Sequence, residues 1–454
     1  MSPLGLADAP TWSERQALML SVSDPAEINL ARVLRDVRKG GYDLGEVPEA
    51  LLAPLAGFAA QDPNVLDFAL EVLTSRLIPT DDERPAQQLS LVQEQVCLEL
   101  FARTSPARGS AAIDGFWAAA RAAAREASGD PFATPNNEVV AAVMLATSAV
   151  GRPQDLSFVL SIAPEEPRVG GPFERALMRM LRANTDTFGR LQNHALRLTE
   201  GQVARALSAV AAVDDPRALH FVDDLLRWDD AYERQAAGVI ASLGRSLDDD
   251  LNDSLARFMV DLLERGEPQL VRPASQALET LRCELALEPL VAALEDEEEP
   301  HARAAIVRAL RATADASLPP EPKVWRLWLR DARAWQAGVA PAQVARLTHH
   351  DPVQVIDATR ELTRYHVGRR AHAAELRELL DATDDAVRAA ACSALAQLDV
   401  PGAVPALIEA LENGAPGESL VNVEAAIVRL TGWPLQPDAE AWRALFVLEA
   451  GSFD

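Results

Sequence analysis

Aromatic residues make up only 5% of this 454-residue chain, cysteine occurs three times, and lysine stands only at Lys39 and Lys323. Each scarcity excludes something. Cys97, Cys283 and Cys392 are odd in number and far apart, so they cannot form the paired framework of a small secreted domain; buried thiols in a reducing cytoplasm are the expectation. No stretch alternates Val, Ile and Thr against polar residues, which argues against sheet strands. No apolar run approaches the ~18 to 20 residues of a membrane span. The first residues, MSPLGLADAPTWSERQALML, lack the basic and continuous apolar regions of a signal peptide. Positive charge is short too: 43 Lys and Arg against 68 Asp and Glu leave a formal net charge of −25. A nucleic-acid binder needs a basic stripe to displace counterions from phosphates, and this chain repels the polymer. The same surplus of acid steers a basic protein partner.

What is present is a repeated helical pattern. In DDAVRAAACSALAQLDVPGAVPALIEALEN, residues 384–413, Val387, Ala391, Ala394, Leu395 and Leu398 fall on one face of a helix that begins after the acidic pair Asp384 and Asp385. Pro401 supplies a turn, Val404, Leu407, Ile408 and Leu411 mark a second helix at i, i+3, i+4, i+7, and Asn413 and Gly414 stop it. A 30-residue hairpin buries too little apolar surface to offset its own ordering, so neighbouring copies are required.

Copies exist. Residues 229–244, DDAYERQAAGVIASLG, repeat the acidic cap and the first-turn arginine as Arg234, and residues 267–296 repeat the whole hairpin, with Val271 and Arg272 in the places of Val387 and Arg388. The pentapeptide Ala-Ala-Ile-Val-Arg occurs at 304–308 and 425–429. Each is followed by Arg-x-Thr, a Pro-containing turn and an aromatic helix start, Trp325-Arg326 and Trp442-Arg443. Residues 267–329 and 383–446 therefore read as a duplication offset by about 117 residues, and such self-similarity signifies stacked helical hairpins.

The pattern Asp-x-x-Val-Arg-x-x-Ala-x-x-Ala-Leu, followed by a Pro-x-Leu-x-x-x-Leu helix, resembles the HEAT repeat, in particular the short bacterial kind called phycobilisome-lyase-type. The resemblance covers roughly residues 202–446 and is strongest at 383–413; Glu233-Arg234 replaces Val-Arg, Pro273 stands in the first helix of its hairpin, and His301-Ala302-Arg303 is a weak third copy. It implies an all-α fold, an α-solenoid of stacked antiparallel helix pairs, in which each hairpin touches only its neighbours. At a period of roughly 40 residues the chain holds about ten or eleven pairs. Residues 1–200 carry looser helix pairs, such as 24–37 and 62–77, and are expected to form a diverged repeat region; residues 201–454 form the clearer one. Pro and Gly gather at 127–137, 163–172 and 315–322, the expected breaks between helices.

Such repeats imply a cytoplasmic, non-enzymatic protein-binding scaffold or adaptor with no cofactor. The other functions the pattern admits are an inhibitor or immunity-type protein that blocks a basic partner, and an enzyme-accessory protein resembling the bilin lyases. In this family the second helix of each pair usually lines the binding face, which singles out Glu288, Glu295, Glu409 and Glu412 as partner-steering charges. No phosphate-binding loop, GxSxG elbow or GxGxxG stands in the sequence. His349, His350, Asp351, His366 and His372 are the densest ligand cluster, yet none stands at i, i+3 or i+4 from another histidine, so they read as surface or capping side chains, not a metal site. Trp325, Trp328, Trp335 and Trp442 recur where each duplicated block ends and are expected to close its core; Trp228, before the Asp229-Asp230 turn, is open to either reading. The acidic run Glu295 to Glu299 is expected to be a solvated interhelical loop.

Overall fold

A computed structural model describes residues 63–75, 91–163, 170–184, 186–194, 197–213, 215–228, 230–413, 418–436 and 438–446. The helix expected at 24–37, the N-terminal twenty residues and most of the 163–172 loop lie outside the described residues. Among the described residues every long regular element is an α-helix. Two compact units divide the chain after Val213.

In the first unit, helices α1 (Pro63–Ser75), α2 (Leu91–Ala102) and α3 (Pro106–Ser128) pack around α4 (Asn137–Val150), and α5 (Leu156–Ile162), α6 (Gly170–Ala183), α7 (Asp186–His194) and α8 (Glu200–Val213) follow. Asn136 begins α4 by accepting a hydrogen bond from the Val139 N–H at 3.1 Å, and Gly151 ends it in the left-handed conformation. Every residue from Val140 to Ala149 is buried, so α4 is apolar all round and forms the centre of the unit. Helices α4, α6 and α8 stack in order in one layer. A two-pronged ion pair between Arg175 and Glu94, at 2.9 and 3.0 Å, ties α6 to α2.

The second unit begins with α9 (Leu219–Trp228) and continues as hairpins: α10 (Glu233–Leu243) with α11 (Asp249–Arg265), α12 (Pro268–Leu281) with α13 (Leu287–Asp296), and α14 (Pro300–Ala314) with α15 (Pro322–Gly338). The short α16 (Ala340–Arg346) leads to α17 (Pro352–Glu361) with α18 (Arg369–Arg377), α19 (Asp385–Leu398) with α20 (Val404–Glu412), and α21 (Glu418–Thr431) with α22 (Ala439–Phe446). First helices α10, α12 and α14 stack on one another, as do α17, α19 and α21.

The second unit thus holds two blocks of three hairpins, and the duplication runs through the last two hairpins of each. Helices α12, α13 and α15 and the 3-10 turn at 284–286 each have a counterpart starting 117 residues on, in α19, α20, α22 and the turn at 401–403. The pentapeptide does not share that register. Its two copies lie 121 residues apart (425 − 304), one helical turn too far, and the helix ends at Ala314 and Thr431 show the structural offset instead.

Local chemistry explains the hairpins. Asp384 caps α19 through the Ala386 and Val387 N–H groups at 2.9 and 3.2 Å. In two hairpins the first-turn arginine ties the pair to the one before it. Arg303 donates to the Leu294 and Glu297 carbonyls at 2.6 and 3.1 Å, satisfying the end of α13, and Arg388 donates to the Ala382 carbonyl at 2.5 Å. Trp325 and Trp442, counterparts at the 117 offset, are both fully buried, Trp335 is buried as well, and Trp228 is 49% exposed. The acidic run is largely exposed, its first two residues ending α13 and the rest linking it to α14; Glu299 caps α14 through the His301 and Ala302 N–H groups, and Glu295 pairs with Arg326 at 2.8 Å.

One expectation of the repeat pattern fails. Hairpins of the second unit do not touch only their neighbours, because the turns of α10/α11 and α12/α13 also meet those of α17/α18 and α19/α20.

Candidate functional site

The converging turns build a polar cleft lined by Arg245, Asp249, Asp253, Cys283, Arg369 and Asp399, among others. Its geometry starts from backbone conformation. Helices α12 and α19 both end on a left-handed residue that is not glycine, Arg282 at φ 52° and Asp399 at φ 57°. An aspartate adopts that conformation readily; an arginine rarely does. Each is thereby turned out of its helix toward the other, and the Arg282 guanidinium reaches the Asp399 carboxylate at 2.9 Å. Arg245, in the turn after α10, grips the other oxygen of Asp399 at 2.5 Å and the Asp399 carbonyl at 3.0 Å.

A second knot lies beside it. Arg370 in the first turn of α18 pairs with Asp253 and, at 2.9 Å, with Asp250, and it lies 3.7 Å from Asp249. Asp253 and Arg370 also stand 117 residues apart, but their helices begin 120 residues apart, so they are not equivalent positions of the repeat. Two backbone amides complete the joint: Gly368 N–H donates to Glu284 at 2.7 Å and Gly402 N–H donates to Asp249 at 3.3 Å.

Arg369 is 5% exposed, yet among the described residues no carboxylate lies within ion-pair distance of it; its guanidinium donates to the Arg282 carbonyl and sits 3.4 Å from the His366 ring. Burial pulls its pKa down, and Asp399 partly restores it. Burial alone would push the Asp399 carboxyl up, but Arg245 and Arg282 more than reverse this and hold it below the ordinary carboxylate range. For Asp249 burial prevails over Arg370 and the Gly402 amide, so its pKa rises. Cys283 is pushed up to about 12 by burial and by Asp253, which its thiol faces, and is therefore an inert thiol.

The histidines divide. His349 and His350 are exposed with ring centroids 4.3 Å apart, and the Asp351 carboxylate caps α17 through the Val353 N–H at 3.1 Å. The expectation of surface or capping side chains fails for His366 and His372, both buried. His372 meets the edge of Trp335, and Trp335 continues through Tyr365 to Trp328. His366 sits between Arg369 and Asp315, 3.8 Å from the latter; burial and the arginine bring it down to about 4, so it is neutral at pH 7. Cys97, Cys283 and Cys392 form no disulfide and are buried, Cys283 in the turn after α12. Among the described residues no group of three or more His, Cys, Asp or Glu is placed to hold a metal ion.

The four glutamates expected to face a partner lie on α13 and α20. Three already bridge successive hairpins: Glu288 with Arg333, Glu295 with Arg326, and Glu412 with Arg443 at 2.6 Å. Glu409 is exposed on α20. None of the four belongs to the polar cleft. The cleft escaped sequence reading because its members are scattered; the available signal was the opposite charge of Arg282 and Asp399 at one place in the repeat.

The sequence model of the family described as HEAT repeats matches residues 341–420. A search of the curated proteins finds no match. Among solved structures, an engineered protein is 17% identical, with 92% of this chain and 98% of that chain covered and a TM-score of 0.28. The karyopherin Kap121p bound to Pho4p is 13% identical, with 98% of this chain and 49% of that chain covered and a TM-score of 0.43; bound to RanGTP, it is 12% identical, with 94% and 52% covered and a TM-score of 0.33. The chain spans about half the length of those karyopherin chains. The stacked helix pairs fit an all-α solenoid, and the match places HEAT repeats at residues 341–420. The match is to HEAT repeats in general and does not distinguish the phycobilisome-lyase kind. No helix among the described residues is long and apolar enough to cross a membrane.

Proposed function

We propose that this chain is a non-enzymatic scaffold that binds a basic protein partner along the outside of its helical stack. The observation that carries the reading is the state of the polar cleft, where ionisable groups from four hairpins engage one another across the joint. Asp399 is held by two arginines, Asp253 and Asp249 face Arg370, and Glu284 accepts a backbone amide. These groups spend their chemistry on architecture, which leaves the surface of the hairpins for recognition. The formal charge of −25 sets the sign of the partner. All four expected contact residues are exposed, and Glu288, Glu295 and Glu412 supply charge while also bracing the stack. Three buried thiols that form no disulfide support a reducing, cytoplasmic setting.

The test is capture from native cells at low and high salt, read by mass spectrometry. A basic protein retained at about 50 mM salt and released near 0.5 M supports the reading. Robust turnover in nucleotide-hydrolysis or nuclease assays by the purified chain overturns its non-enzymatic part.

A further inference from the structure

The two blocks of the second unit differ in how they are held inside and how they are held to each other. The apolar core of the second block runs from Trp335 through Leu362, Ala373, Leu395 and Ile408 to Trp442 and takes no buried residue from before Trp335; only the partly buried Leu247 reaches it from the first block. Across the joint the polar contacts are ionic or charge-assisted: Asp399 with Arg245 and Arg282, Arg370 with Asp249, Asp250 and Asp253, the buried Arg369 with the Arg282 carbonyl, and the Gly368 and Gly402 amides with Glu284 and Asp249; His366 lies 3.8 Å from Asp315. One helix belongs to both sides. Trp335 of α15 lies in the second block's core while Trp325, ten residues earlier on the same helix, is buried outside that core.

We propose that the cleft is an ionic latch and that the second unit is a hinged clamp, its two blocks pivoting about α15 between a closed state, with the latch made, and an open state, with Arg245, Arg282, Asp399, Asp253 and Arg370 released to solvent. Salt weakens the more exposed pairs of Arg370 and Arg282 most, the buried Arg245–Asp399 pair less and the apolar cores not at all, so closing and opening leave the hairpins themselves intact. Because the counterparts Arg282 and Asp399 carry opposite charges, closure is specific to one block against the other: two copies of the first block would set Arg282 against Arg282. The open state presents a row of charge along the turn edge, and a strongly charged partner that competes for these groups drives the same opening as salt.

The experiment places spin labels on exposed positions of the two blocks in the full chain, Arg257→Cys on α11 and Ser393→Cys on α19; the native thiols are buried and take no label. Distances are measured by pulsed electron resonance at about 50 mM and 0.5 M salt. The expected result is a longer, broader distance distribution at high salt with unchanged helical circular dichroism, and the same lengthening at low salt when Asp399→Asn is added. Hydrogen exchange of the unsubstituted chain gives a second readout: salt accelerates exchange severalfold in segments 366–370 and 399–403 but not within α12 or α19. A distance indifferent to salt and to Asp399→Asn overturns the proposal, since the joint is then rigid. Loss of helix in step with the lengthening also overturns it, since the pairs then hold the fold itself.

Discussion

Arg282 and Asp399 hold the same place in two copies of one hairpin, each ending its helix in a left-handed conformation, and their side chains meet at 2.9 Å. In a straight stack, counterparts three hairpins apart are far from each other. Their contact means that the rotation from hairpin to hairpin accumulates until the turns of the two blocks converge, and what they converge on is a set of charges. Asp399 is 6% exposed and needs both of its arginines, because a carboxylate withdrawn from water without compensation costs several kcal/mol.

Gly368 illustrates how tightly the joint is fitted. It has φ +75°, and a Cβ there meets the Gln336 side-chain amide at 2.5 Å or less for two of its atoms. Gly368→Ala is expected to lower the stability of the second unit by about 1–3 kcal/mol, measured by denaturant unfolding. Adding Gln336→Ala recovers only the steric part and leaves the backbone strain.

His366 makes stability depend on pH. Its folded pKa of about 4 lies below the ordinary value of 6.5, so between these values the unfolded chain binds a proton that the folded chain refuses. Stability from this group is complete above about pH 6.5 and falls as pH drops toward 4, by about 3 kcal/mol in all. Arg369 opposes the charged form and Asp315 and Asp399 favour it. His366→Gln is expected to flatten the dependence over that window in thermal unfolding at a series of pH values.

The tryptophans separate core from surface. Trp442→Ala removes a fully buried ring and is expected to cost about 3–5 kcal/mol, whereas Trp228→Ala, at a half-exposed ring, is expected to change stability by no more than about 0.5 kcal/mol. Chemical denaturation of the two variants compares them directly.

The acidic face is tested by charge. Once a partner is captured, Glu409→Arg is expected to slow association severalfold and reduce its salt dependence without changing stability, because an exposed charge acts on the encounter. Glu412→Gln also breaks a bridge to Arg443, so it is expected to lower stability by up to about 1 kcal/mol. Surface plasmon resonance and melting curves read the two effects.

Much of this was legible in the sequence. Val387 to Leu398 and Val404 to Leu411 read as helices because burial of one face imposes their spacing, and Asp384 reads as a cap because its side chain suits free amides. The 117-residue offset was visible in Trp325 and Trp442. The latch was not, because curvature depends on small rotations between hairpins that no local pattern records. His366 and His372 looked like surface residues because histidine carries no periodic signature, and their burial follows from the aromatic and ionic neighbours that convergence brings. The pentapeptide misled by one turn because small apolar residues satisfy the core in either register.

The most direct measurement is a double-mutant cycle on Arg282→Ala and Asp399→Ala, with unfolding of the second unit followed by tryptophan fluorescence. The account predicts a coupling of about 1 kcal/mol or more, shrinking as salt is raised. Effects that add to within about 0.5 kcal/mol at every salt concentration would contradict it.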